Sequence, residues 1–410
     1  MNGHRVVVTG LGVVSPLGFG IEAYWQSLME GRHGFAPIRA FDASGYRQPN
    51  GAEVDSDRLR EELVRGGIVA TERSVDMGLA AGLQAWRLAG LDAVEPAPRP
   101  WAAILGSAVG CLQGMAAAIE SFHAKGPRGV RPTAIPRYMH NALSANLSIR
   151  LRLTGPNYTV ASACASSSAA IGAAYRLVRS GAVEGAVTGG SDSVFLPMLV
   201  AAWNNLGILS AQADPGLCCR PFDRDRDGTA LGEGAAVLIL ENRDLALARG
   251  APVLAEIAGF AENSDAVHIA NPDASSQARA IRAALADAGT PLEELGFVNA
   301  HGTGTVVSDR KEAEAIRLAL GAAADTIPTA SLKSFFGHTQ GAGGALETVA
   351  AIWTLREKRM PGNRNLGTPD PGCPIRLAGP GPEPVDKPAG LKICFGFGGH
   401  NTALVLRAPG

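Results

Sequence analysis

Short aliphatic and β-branched runs alternate along the chain with longer stretches whose apolar residues recur every three or four positions. The runs at 5–10, 102–110, 185–190, 234–241, 253–260, 296–301, 327–333 and 391–395 read as strands, most of them buried. The stretches at 18–31, 71–90, 141–153, 276–289, 311–321 and 341–359 read as helices. In 71–90, Met77, Leu79, Ala80, Leu83 and Trp86 fall at helical spacing and Gly90 supplies a stop. Shorter helices are expected at 115–123 and 242–249. Residues 32–60 are polar and irregular, and 125–131 is a basic loop interrupted by Gly and Pro. The chain closes on a hairpin-like pair, 391–395 with 402–406.

This alternation predicts an α/β fold with a mainly parallel sheet covered on both faces. The order of elements also repeats. A strand with a Gly-rich turn occurs at 102–110 and again at 297–304, and a strand with a small-residue helix at 157–174 and again at 327–346. Two similar βα halves, 1–252 and 253–410, account for the repeat; chance likeness among Gly/Ala-rich βα units accounts for it equally well on pattern alone.

Composition narrows the class. Of 410 residues, 46% are apolar and 18% charged, which provides a large core and excludes a disordered chain. The net charge of −1 argues against a nucleic-acid partner, which needs a basic face. Cys111, Cys164, Cys218, Cys219, Cys373 and Cys394 form no CxxC pair, so a reduced, cytoplasmic protein without a metal site is expected. No run of about 18 apolar residues predicts a membrane span, and no signal-peptide pattern precedes the first strand.

The chemistry concentrates at three places. Cys164 stands between a β-branched segment and a run of small residues, where a helix N-terminus favours a thiolate. His301 lies in a Gly-rich turn after a strand, as do Lys333 and His338. One thiol and two imidazoles suit acyl transfer through a thioester, with backbone N–H groups holding the oxyanion. Two imidazoles aimed at one carbonyl oxygen further suit an enolate. A cysteine-protease arrangement, with His301 oriented by Asn401, stays open on these residues alone. Gly396 to Asn401 does not spell GxGxxG and no Walker A motif occurs, which disfavours a nucleotide site.

The motifs SACASSSAA (162–170), NAHGTGT (299–305), LKSFFGHTQGAGG (332–344) and FGFGGHN (395–401) resemble those of the β-ketoacyl-[acyl carrier protein] synthases, in particular the elongating Cys-His-His branch of fatty-acid and type II polyketide synthesis. VTGLG (8–12) and RPFDRDRDGTALGEGAAVLILE (220–241) fit as well. The resemblance implies a thiolase-like fold, two similar βα halves in a five-layer αβαβα arrangement. It implies a decarboxylative Claisen condensation of malonyl-carrier protein with an acyl chain on Cys164, at His301 and His338, with Lys333 and its partner carboxylate Glu312 organising the electrostatics. The N–H groups of Cys164 and Phe397 would form the oxyanion hole. Val109, Thr133, Ala134, Trp203, Thr303, Thr305, Phe395 and the gating Phe397 would line the acyl site. Arg73, Lys125, Arg128 and Arg131 would form the docking face for an acyl carrier protein, whose phosphopantetheine arm carries the substrates; no cofactor is bound by the chain itself. The partner subunit would be a second copy or a sibling resembling a chain-length factor. Thr229, where the family commonly has Phe, His400, where it has Thr, and the small Thr133-Ala134 depart from the pattern and point to polyketide or polyene extension. A housekeeping fatty-acid synthase, a non-condensing acyltransferase and a non-catalytic partner subunit are the alternatives.

Overall fold

The computed structural model describes residues 3–92 and 97–409. The aliphatic runs form strands β1 (Val6–Ser15), β2 (Ala102–Gly106), β3 (Asn157–Val160), β4 (Gly185–Asp192), β5 (Gly234–Asn242), β6 (Ala255–Ser264), β7 (Leu295–Asn299), β8 (Thr329–Ala330), β9 (Ala389–Gly396) and β10 (His400–Arg407). They lie in the order β8-β7-β9-β10-β6-β1-β5-β4-β2-β3, and the two-residue strand Gly18–Phe19 adds to the end of β1. β6 and β1 meet only over a short stretch, Val6–Val8 against Ala255–Ile257.

Read outward from that seam, one half runs 1-5-4-2-3 and the other 6-10-9-7-8, so adding five to each label of the first gives the second. Directions match too. The inner pairs β1·β5, β5·β4, β6·β10 and β10·β9 are antiparallel, and the outer pairs β4·β2, β2·β3, β9·β7 and β7·β8 are parallel. The expectation of a mainly parallel sheet is therefore corrected. Crossover helices enforce parallel pairing only at the outer strands, while short connections such as Phe397–Gly399 between β9 and β10 turn the chain straight back.

Helices Ser166–Arg179 and Gly343–Glu357 pack against each other between the two half-sheets. Helices Arg73–Leu88 and Ala142–Leu151 cover one outer face, and Ala274–Ala288 and Val306–Leu320 the other, which gives five layers. Small residues make the central layer possible: a Cβ at Gly344 would stand 2.2 Å from Ser168 Oγ. The helix Gly343–Glu357 is buried from Gly343 through Leu355, so its Glu347 has no route to water and needs a partner inside.

Other expectations are adjusted. β1 runs on through Gly10 and Gly12 to Ser15, paired along its length with β5, and glycine at both positions lets the carbonyl oxygens of Ala85 and Ala81 on helix Arg73–Leu88 come close. The polar stretch 32–60 holds a small hairpin, Phe35–Pro37 with Asn50–Ala52, and the start of helix Ser56–Arg65. Helix Pro197–Asn205, which carries Trp203, escaped the periodicity. The strand expected at 327–333 shrinks to β8, and Lys333 opens a one-turn helix, Lys333–Phe336. β3, the β-branched segment that leads to Cys164, is the sheet's edge and is partly exposed, Tyr158 included.

Candidate active site

Both halves turn sharply after their third strand. Ala163 and Gln340 take left-handed φ values of 50°, and each stands three residues before a central helix, Ser166–Arg179 or Gly343–Glu357. A non-glycine residue there costs on the order of 1–3 kcal/mol and persists only where its surroundings impose it. In the first half the turn delivers Cys164. In the second, the approach to it delivers His338. Cys164 Sγ lies 3.0 Å from His338 Nε2. His301, at the end of β7, places its ring centroid 5.6 Å from that of His338 at 86°. All three side chains are buried and line one largely apolar cavity of about 500 Å³.

Lys333 organises the floor. Its Nζ donates to the His301 carbonyl oxygen at 2.5 Å, lies 3.5 Å from His301 Nδ1 and pairs with Glu347 Oε1 at 2.6 Å. This corrects the assignment of Glu312 as its partner. Glu312 instead accepts the backbone N–H groups of His301 and Gly302 at 2.6 and 2.7 Å, fixing the turn that aims His301. The carboxylate on Lys333 comes from the central helix, and its other oxygen forms an ion pair with Lys392 Nζ at 2.8 Å without hydrogen-bond alignment, Lys392 Nζ donating to the Ile393 carbonyl oxygen. Cys394 Sγ sits 3.6 Å from His301 Nδ1 and donates to the Cys164 carbonyl oxygen at 3.2 Å.

Burial governs the titrations. It pushes the Cys164 thiol up to about 12, against the pull of Lys333 and of the backbone N–H groups of Phe397 and Cys164. The helix N-terminus expected to favour a thiolate is in place, but desolvation outweighs it, and the resting group is a thiol. His301 and His338 are held well below the ordinary imidazole value by burial and then by Lys333, so both are neutral. The Lys333 ammonium has a third proton to give His301 Nδ1, while the single Cys394 proton goes to the Cys164 carbonyl oxygen; this makes Nδ1 the acceptor and puts the ring proton on Nε2, facing the cavity. His338 Nδ1 is buried with no hydrogen-bond partner, so its tautomer follows whatever Nε2 meets.

The remaining expected residues separate into two groups. Trp203, Thr303, Thr305, Phe395 and Phe397 line the cavity. Phe397 stacks on Trp203 at 6.1 Å and 18°, and Gly398 and Gly399 beside it take φ values of 85° and 76°. Val109, Thr133 and Ala134 do not line it. Val109 packs with Val194, Val200 and Leu209, Thr133 is exposed, and Ala134 is buried at the start of helix Ala134–Tyr138. Arg73 is removed from the docking face, since its guanidinium is committed to the buried Glu233 and to the Val54 carbonyl oxygen. Lys125, Arg128 and Arg131 are exposed. His400 is exposed at the start of β10, outside the cavity. The Asn401 amide donates to Asp265 at 2.6 Å and Asn263 at 2.9 Å, which leaves no protease-like orienter behind His301.

Sequence reasoning missed Glu347, Lys392 and Gln277. For the first two a signal existed: a lone charge in an apolar helix or strand must be paired. Gln277, on an ordinary amphipathic helix, gave none. It lines the cavity, is 1% exposed, and its Oε1 has no hydrogen-bond partner. Among the described residues no cluster fit to hold a metal ion occurs, and no helix is long and apolar enough to cross a membrane.

A cysteine and two histidines converging from two halves of a thiolase-like fold define a thioester-handling transferase. The family models for the N-terminal and C-terminal domains of β-ketoacyl synthases match residues 3–246 and 254–367. The chain belongs to the β-ketoacyl synthase family and is a condensing acyltransferase. It is 38% identical to 3-oxoacyl-[acyl-carrier-protein] synthase 2 of Synechocystis sp. over 98% of both chains. It is 36% identical to the Coxiella burnetii protein of the same name over 99% of both. Among solved structures, the ishigamide ketosynthase/chain length factor superimposes with a TM-score of 0.91 at 33% identity, covering 100% of both chains. A type II polyketide ketosynthase, solved in complex with its acyl-carrier protein and bound to a hexaketide, gives 0.91 at 27%, again over 100% of both chains.

Proposed function

We propose that the protein extends acyl chains by two carbons, taking the growing chain onto Cys164 and condensing it with a malonyl group, with both substrates delivered on an acyl carrier protein. The observation that carries this reading is the convergence of Cys164 Sγ, His338 Nε2 and the His301 ring in one cavity. In the first half-reaction Sγ attacks the incoming thioester carbonyl carbon. Its proton passes to His338 Nε2 and on to the departing pantetheine sulfur, while the N–H groups of Cys164 and Phe397 hold the oxyanion. Acylation removes the thiol proton from His338, and Nε2 then meets an acceptor oxygen. With Nδ1 unpartnered, the ring exchanges its proton with water admitted as the first pantetheine leaves, and the proton settles on Nε2. His301 and His338 then both donate to the malonyl thioester oxygen. The bond to the carboxylate breaks, CO₂ leaves, and its electron pair forms the enolate. The enolate carbon attacks the acyl carbonyl, the C–S bond to Cys164 breaks, and the released thiolate takes one proton from solvent, because the original thiol proton left with the first pantetheine.

Polyketide or polyene extension is favoured over housekeeping fatty-acid elongation by two cavity residues. Gln277 offers an unpartnered amide oxygen, and Thr229 is smaller than the aromatic commonly found there, so the cavity suits a chain carrying polar groups. A partner subunit is supported by the exposed edge strand β3 and by helix Leu112–Lys125, which buries no side chain and exposes Met115, Ile119 and Phe122. Lys125, Arg128 and Arg131 beside that helix suit an acidic carrier. We divide the halves at 252/253 and place the protein in the cytosol, in keeping with six free cysteines.

Incubation with acyl-carrier protein and then malonyl-carrier protein, followed by intact mass, tests the reading. An adduct confined to Cys164 and a ketoacyl product two carbons longer are expected, with Gln277→Leu narrowing the preference for oxygenated over saturated chains. An adduct that only hydrolyses contradicts condensation.

A further inference from the structure

Glu347 sits between two lysines. Its Oε1 lies 2.6 Å from Lys333 Nζ and its Oε2 2.8 Å from Lys392 Nζ, and the three side chains are exposed by 0%, 1% and 0% respectively. Two ammonium groups and one carboxylate leave a net positive charge enclosed in the core. Glu312, on helix Val306–Leu320, offsets only part of it: its carboxyl accepts the backbone N–H groups of His301 and Gly302, and burial raises its pKa to about 7. Tyr24, on helix Ile21–Met29, donates to the Leu346 carbonyl oxygen at 3.2 Å, and burial raises its own pKa well above the ordinary value. Cys394, on the same strand as Lys392, is a buried thiol whose pKa is raised by burial. His338 is neutral. A buried ion pair is usually balanced; the second lysine is an extra cost that calls for a use.

We propose that Lys392 is a positioning residue for condensation: by occupying the second oxygen of Glu347 it leaves the Lys333 ammonium only partly compensated, and that charge holds His301 neutral with its proton on Nε2. The proposal rests on His301 acting as the enolate donor. Lys333 Nζ is the nearer group to His301, 3.5 Å from Nδ1, so the balance at Glu347 reaches the imidazole through Lys333. The forces that lower the His301 pKa run in the same direction: burial first, then Lys333, His338 and Lys392. Without Lys392, Glu347 compensates Lys333 more fully, the imidazolium costs less, and His301 takes a proton on Nδ1 at higher pH; that proton ends the hydrogen bond from Lys333 and turns the ring from its aim, which gives the acid limb. Without the Glu347 charge, the imidazolium costs more and the shift reverses.

The test is the pH dependence of CO₂ release from malonyl-carrier protein, paired with ¹⁵N-NMR of the His301 ring, which reads its protonation whether or not condensation occurs. Lys392→Met is expected to move the acid limb and the His301 titration to higher pH by about one unit, a roughly tenfold relative loss on the acid side. Lys392→Arg, which keeps the charge, leaves both in place. Glu347→Gln moves them to lower pH and decides the matter if Lys392→Met does not fold. Equal loss at every pH in Lys392→Met with an unmoved His301 signal, or no downward shift in Glu347→Gln, overturns the proposal. A His301 signal that moves as expected in a protein that releases no CO₂ keeps this inference and removes the condensing role of His301 instead.

Discussion

The two Gly-rich turns that follow β2 and β7 occupy equivalent places in the two halves and do different work. Each is held by one buried carboxylate. After β2, Asp192 accepts Ser107 Oγ at 2.5 Å and the N–H of Ala108 at 2.8 Å. After β7, Glu312 accepts the N–H groups of His301 and Gly302. The first turn presents Ser107 and ends in structure, whereas the second presents His301 and ends in the cavity. The next strands reverse the roles: the turn after β3 carries the nucleophile, and the matching left-handed turn after β8 follows Cys164's position with Gly341. The Gly341 N–H reaches back to Asp192 at 2.7 Å and ties the His338 loop to the opposite half. A duplicated fold thus supplies two sets of strand ends. In the proposed reaction the first half's set carries the nucleophile and the second half's carries both imidazoles, of which His338 also serves the thiol.

The largest expected effect separates the two half-reactions outright. Cys164→Ala abolishes acyl loading and lowers condensation by roughly five to six orders of magnitude, the scale of removing a nucleophile, while CO₂ release from malonyl-carrier protein continues; gel-free intact mass and CO₂ trapping read the two. Next, His338→Ala lowers condensation by about 10²–10³-fold and slows alkylation of Cys164 by iodoacetamide, because the sulfur loses its proton acceptor. Arg73→Ala is expected to cost roughly 2–3 kcal/mol of stability, discounted for a part-exposed guanidinium that leaves Glu233 uncompensated, with no change in KM for the carrier; denaturant melts and a carrier titration check both. The smallest effect concerns Glu312, whose carboxyl burial raises from 4.5 to about 7. A carboxyl raised on folding binds its proton more tightly in the folded chain. Its contribution is therefore full below pH 4.5 and declines as pH rises towards 7, and Glu312→Gln flattens the melting curve in that window.

The same comparison explains what the sequence reveals. Cys164, His301 and His338 are legible because each follows an apolar run and stands among glycines, alanines and serines that leave it room. The repeat is legible because strand and turn chemistry recur in the same order. The antiparallel inner pairing is not, since strand direction depends on where the chain returns rather than on its own residues. The Lys333 partner is misread for a related reason: Glu312 and Glu347 both sit on helices near the motifs, and only the fold decides that one faces backbone N–H groups and the other an ammonium. Arg73 reads as a surface base in the sequence because its buried partner, Glu233, is remote along the chain.

In the proposed reaction His338 serves both half-reactions and His301 only the malonyl one, and His301→Ala separates these roles when the half-reactions are timed individually. The account predicts acyl-Cys164 formation within a few-fold of the unaltered protein and a fall in malonyl decarboxylation of about 10²–10³-fold. Acyl loading that collapses with decarboxylation would show that His301 serves the thiol as well, and its assignment to the malonyl step would not stand.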